Sequence, residues 1–184
     1  MRAGDPRIMS ILYAPASYTH RSHLPKIILA SEIREERLLN LWLLRHGKLS
    51  DLPTRWLPDE ATSSLLLSHW HLIPLAAHLV GGYLQRNWLP KMGATLMSDP
   101  HLLAFISLPL LHEVTLDEGD YPLDTASCGA TFILGQFPGL PAALRQRLML
   151  LFPSSMALAQ FAAPKTLNNI NLLRMAFTYA HHYY

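Results

Sequence analysis

Between Glu60 and Arg86 the chain carries no Asp, Glu, Lys or Arg. Within that run Leu66, Trp70, Ile73, Ala77, Val80 and Leu84 recur at alternating spacings of four and three, the period of a helix. Leu65, Leu72, Leu75 and Leu79 add a second apolar stripe. A helix that is apolar on more than one side belongs inside a domain or a membrane. Pro74 cannot donate to the carbonyl of Trp70, so the segment must kink or restart there. The run predicts one helix ending near Leu72 and a second that takes Pro74 into its first turn. Gly81 and Gly82 then permit close packing or a stop.

Composition decides between domain and membrane. Of the 184 residues half are hydrophobic and 15% are charged, against about 25% in an average globular domain. Mean hydropathy is +0.15. The central run nevertheless holds Ser68, His69, His71, Pro74 and His78, and polar side chains at mid-bilayer are expensive. Leu65–Leu84 is therefore expected to be a buried core segment. The net charge is +2 without a long basic run, which argues against a nucleic-acid partner. Cys128 is the only cysteine, so no intrachain disulfide forms, as suits a reducing compartment. The start, Met1-Arg2-Ala3-Gly4-Asp5-Pro6, lacks an apolar signal region, and no secretory signal is expected.

The rest of the chain reads as short, proline-bounded helices. Residues 1–10 are expected to be a flexible arm, and 11–184 a single helical domain. Pro25–His46 reads as one helix, with Ser31 as a cap, Glu32, Glu35 and Glu36 at its positive end and Gly47 as its stop. Asp59 is placed to cap the central segment. Ser98-Asp99-Pro100 opens a helix that ends before Pro109. Asp124 or Thr125 caps a helix to Gln136, Pro141 opens one to Phe152, and Thr166 caps the last. His112–Leu116 could form a short strand. No strand–helix alternation repeats, so the fold class expected is all-α, a compact set of many short helices.

Catalytic patterns are missing. No phosphate-binding loop, nucleophile elbow or H-E-x-x-H motif occurs. His69 and His71 cannot share a helix face. His71 and His78 could, and the acids from Glu113 to Asp120 could hold an acid/base pair, so a small ligand- or metal-binding protein or enzyme is the alternative reading. Three or four converging ligands would be needed for a metal, and none is expected. Cys128 has no basic neighbour and reads as a core residue.

The chain resembles the SctK proteins of bacterial type III secretion, especially their OrgA/MxiK branch. Pro15, Tyr18, His20 and Leu24 follow the P-x-x-Y-x-H-x-x-x-L pattern of that family. Trp70, Ile73, Pro74, Ala77, Leu79 and Gly81 match its tryptophan–proline–glycine core helix. Leu150-Leu151-Phe152-Pro153 follows an arginine-bearing helix, and Tyr179-Ala180 falls in a last helix as in the family. The resemblance implies a helical, non-enzymatic protein without a cofactor. It implies an adaptor of the cytoplasmic sorting platform, linking the cytoplasmic domain of the inner-membrane ring protein to the spoke protein that carries the ATPase complex. The stator and ATPase would be reached indirectly, and the membrane only through partners. Arg34 and Arg37, on the mixed-charge stretch Glu32–Arg37, and the acids Asp117, Glu118 and Asp120 are the candidate polar rims of such contacts.

Overall fold

A computed structural model describes residues 5–25, 35–58, 62–87, 99–109, 124–156 and 167–183. Among the described residues there are eight α-helices and no strand, an all-α fold. The helices are α1 (Pro6–Tyr13), α2 (Glu36–His46), α3 (Ser63–Ser68), α4 (Ile73–Leu84), α5 (Pro100–Ile106), α6 (Thr125–Gln136), α7 (Ala142–Leu150) and α8 (Leu167–Tyr183). Single 3-10 turns occupy Pro15–Ser17, Arg21–His23 and Trp70–Leu72. The chain divides into two compact units: Met1–His71 with Gly139–Met156, and Leu72–Pro138 with Ala157–Tyr184.

In the first unit α1 packs on α7 and α3. Its start corrects the expected loose arm from Asp5 onwards. The Asp5 carboxylate accepts the Arg7 N–H at 2.9 Å and Pro6 fills the first turn. Ile8, Ile11 and Leu12 then bury one face. This is the same Asp-Pro start as at Asp99-Pro100, and the apolar spacing supplies the reason the arm is ordered. A second correction concerns Pro25–His46. Glu35 is extended, with ψ 93°, and breaks any continuous hydrogen-bond ladder, so the helix begins at Glu36. It ends as expected at Gly47, whose N–H bonds the carbonyl of Leu43, but the left-handed residue is Lys48.

The second unit is built on α4 and α6, its most extensive helix pair, with α5 and α8 packed on α4. Nine of the twelve residues of α4 are buried, and nine of the twelve of α6. Asp99 caps α5 through the N–H groups of His101 and Leu102, and Asp124 caps α6 through that of Ser127. Asp124, not Thr125, is therefore the cap.

The uncharged run is interrupted where Pro74 requires it. α3 stops at Ser68, four residues short of the expected Leu72, a 3-10 turn covers Trp70–Leu72, and α4 takes Pro74 in its first turn. Leu66, Trp70, Ile73, Ala77, Val80 and Leu84 are all buried. Of the second stripe only Leu79 is fully buried; Leu65, Leu72 and Leu75 are half-buried. Among the described residues no helix is long and apolar enough to cross a membrane. The proposed caps Ser31, Asp59 and Thr166 and the strand His112–Leu116 lie outside the described residues.

Candidate functional site

The residues that carry the resemblance fall into two groups, one in each unit. In the first unit Pro15 is buried at the head of its turn. The Tyr18 hydroxyl donates to the carbonyl of Ile11, and its ring meets Trp70 edge-on, with centroids 5.8 Å apart. Burial pushes the Tyr18 phenol well above its ordinary pKa, which keeps it a neutral donor. His20 caps the turn Arg21–His23: its Nδ1 accepts the Ser22 N–H at 3.2 Å. Its own backbone N–H donates to Leu150 O at 2.7 Å. His23 Nε2 donates to Phe152 O at 2.8 Å, and the Ser154 N–H donates to Ser22 Oγ at 2.8 Å. The stretch Pro15–Leu24 is thus bonded to the stretch after α7. Leu24 and Pro153 are half-buried beside it, and Phe152 is buried.

Arg147, which the sequence showed only as the charge of an arginine-bearing helix, sits at the centre of this unit with no exposed surface. Its Nε donates to Leu12 O at 3.0 Å, and its Nη1 donates to Ser50 O at 2.8 Å and Ala143 O at 2.9 Å. Three carbonyls, one from the negative end of α1, stand where a carboxylate would be expected. Burial pulls the guanidinium below its ordinary pKa, opposed by Tyr18, Asp51 and Tyr13. Such a group ties α1, the loop at Ser50 and α7 together. The available signal was position: Arg147 falls among Ala143, Leu144, Leu148 and Leu151, on the buried stripe of its helix.

In the second unit α4 and α6 cross at small residues. A Cβ on Gly81 would collide with the Thr125 carbonyl and lie 2.9 Å from the Gly129 nitrogen, and one on Gly129 would collide with the backbone of Ala77. Ala77 and Gly81, and Thr125 and Gly129, are each one helical turn apart, so the two backbones touch along a matched pair of small faces. Pro74 sits in the first turn of α4, and Leu79 is fully buried. Gly129 was legible only as the neighbour of Cys128.

His78 is consumed by the same packing. Its Nε2 donates to Asp99 Oδ2 at 3.0 Å, and its Nδ1 lies 2.6 Å from Thr125 Oγ1. One imidazole therefore joins α4 to the heads of α5 and α6. Thr125 is buried, so the hydroxyl end of this trio lies inside the packing of the second unit. Cys128 is buried, and burial, with Asp124, pushes its thiol up to about 11, away from thiolate at neutral pH. His71 is exposed. Among the described residues no three His, Cys, Asp or Glu converge as a cation site. Arg37 is exposed on α2, while Arg34, Glu113, Asp117, Glu118 and Asp120 lie outside the described residues.

The Asp99 link predicts an acid dependence. Burial is the largest single influence on this carboxyl and raises its pKa, but the N–H of Leu102, the His78 ring and the N–H of His101 together outweigh it and hold the pKa below its ordinary value. A carboxyl lowered in the folded state contributes stability above its unfolded pKa of about 3.9 and loses it as pH falls through the folded value. Asp99→Asn keeps a capping oxygen. It is expected to cost up to about 1 kcal/mol at neutral pH, the range for a partly exposed pair, and the deficit should narrow as pH falls below about 3.9 and through the lowered folded value. Urea unfolding of both proteins across this range measures it; a deficit constant with pH would contradict the assignment.

Comparison with known proteins follows the same outline. A solved structure described as the cytoplasmic domain of the T3SS sorting platform protein PscK from P. aeruginosa shares the fold, with a TM-score of 0.52 and 19% sequence identity, over 94% of this chain and 92% of that one. No curated protein matches at a significant level. The family model described as bacterial type III secretion apparatus protein (OrgA_MxiK) matches residues 8–182, which takes in every signature residue named above, and the chain belongs to that family.

Proposed function

We propose that this protein is a non-enzymatic adaptor of the type III secretion sorting platform, joining the cytoplasmic domain of the inner-membrane ring protein to the spoke protein that carries the ATPase complex. The observation that carries this reading is the family match over residues 8–182. It is supported by where the polar side chains go. Tyr18, His20, His23, His78 and Arg147 all spend their hydrogen bonds on the fold itself. The match spans both units, and we take residues 11–184 to act as one adaptor domain. It works without a cofactor, at the cytoplasmic face of the inner membrane, and touches the bilayer only through its partners.

The test is capture in a secreting bacterium. The tagged full chain is expected to retain both the ring and the spoke protein, and its deletion to abolish secretion and to release the spoke protein from the membrane fraction. Reversing Arg34 and Arg37, or Asp117, Glu118 and Asp120, is expected to weaken one partner each at low salt, as polar rims do. Capture of neither partner by the parent, or wild-type secretion after deletion, contradicts the adaptor reading.

A further inference from the structure

The helix α2 is apolar and largely uncovered. Six of its eleven residues are Leu or Trp, yet Leu43 alone is fully buried. The helix is held from one side, against the turn Pro15–Ser17, where Asn40 Oδ1 accepts the Ala16 N–H at 2.7 Å. On its open side Leu38 is 52% exposed and Leu41 45%. Arg37, Leu41 and Arg45 follow one another at intervals of four, so two guanidiniums bracket the apolar pair. Both arginines are exposed, and among the described residues neither guanidinium has an ion-pair or hydrogen-bond partner. Glu36 lies one turn before Asn40, towards the held side.

The charge of the whole unit points the same way. The first unit holds eleven Lys and Arg against seven Asp and Glu, a net +4, and the second holds four against six, a net −2. Of the eight exposed large apolar residues among the described ones, six belong to the first unit: Met9, Tyr13, Leu38, Leu41, Leu57 and Met149. Among the described residues the positive unit therefore also carries most of the exposed large apolar side chains.

We propose that the face Arg37–Leu38–Leu41–Arg45 is a docking site for an amphipathic acidic helix of a partner protein, in which apolar anchors are flanked by carboxylates. Leu38 and Leu41 receive the anchors, and Arg37 and Arg45 take the carboxylates in the two-pronged geometry that guanidinium favours. This rests on the adaptor reading, with the spoke or the ring protein as the owner of the helix.

The experiment compares the parent with Leu38→Asp/Leu41→Asp, with Arg37→Glu/Arg45→Glu, and with a control, Arg7→Glu/Arg55→Glu, that makes the same charge change at exposed positions elsewhere in the unit. Each tagged full chain is used to capture the spoke and ring proteins at low and high salt. Circular dichroism checks the fold, which substitutions at exposed positions should leave intact. Leu38→Asp/Leu41→Asp is expected to reduce retention of one partner by about tenfold or more at either salt. Arg37→Glu/Arg45→Glu is expected to reduce it at low salt and to flatten its salt dependence, and the control to behave as the parent. Parental retention by both α2 variants overturns the docking face and leaves the adaptor standing. A parent that captures neither protein overturns both. Loss of self-association or of binding to anionic vesicles in the α2 variants, with capture unchanged, assigns the face to a second copy or a lipid surface and overturns the proposal.

Discussion

Gly129→Ala is expected to destabilise the protein by about 3 kcal/mol or more, at or beyond the upper end of ordinary overpacking. In an open helix interior the same change stabilises by up to about 1 kcal/mol, so the sign itself is diagnostic. The new Cβ would fall inside the backbone of Ala77. Backbone cannot rotate aside as a side chain can, so α4 and α6 must separate, and with them much of the apolar interior of the second unit. Gly81→Ala meets the Thr125 carbonyl from the other side and is expected to behave alike. Gly139 is the control: a Cβ there meets nothing within 4 Å, and Gly139→Ala should lie within about 0.5 kcal/mol of the parent. Urea unfolding followed by circular dichroism measures all three. If Gly129→Ala unfolds with the parent, the close crossing of these two helices does not exist in solution.

Trp70→Ala is expected to cost about 3–5 kcal/mol, the range for removing a large aromatic side chain from a core. The indole is 2% exposed and meets the ring of Tyr18 edge-on. Among the described residues its Nε1 has no hydrogen-bond partner, so its contribution is packing, and Trp70→Phe should keep a substantial part of it. The loss should spread to the bonds beside it, because Tyr18 holds Ile11 and the following turn is bonded to Leu150 and Phe152. Thermal melting of both variants is the measurement. An unshifted melt for Trp70→Ala would remove Trp70 from the centre of its unit.

These two positions show different degrees of legibility. Trp70 was readable because it falls on a stripe that only a helix can align, in a run with no charge to hold any part of it at the surface. Gly129 was not, because a glycine that permits backbone contact looks the same in sequence as one that ends a helix. The same holds for Arg147. An arginine on an apolar stripe signals burial, but the carbonyls of Leu12 and Ser50 that replace its counter-ion come from distant parts of the chain.

The sequence by itself determined the all-α class, the break at Pro74, the Asp99 helix start and the burial of the Leu66–Leu84 stripe, and left the cap of α6 between Asp124 and Thr125. Each follows from interactions within a few residues: the missing proline donor, a carboxylate facing free N–H groups, and the periodicity of apolar side chains. Local rules also reach Asp5-Pro6, where the helix replaces the expected arm. Tertiary structure alone decided that His78 joins the heads of α5 and α6. It also decided that Leu38 and Leu41, as apolar as Leu43 in the same helix, remain at the surface. Hydrophobicity says which side chains gain from leaving water, but only the geometry of the packed chain determines which of them find a neighbour.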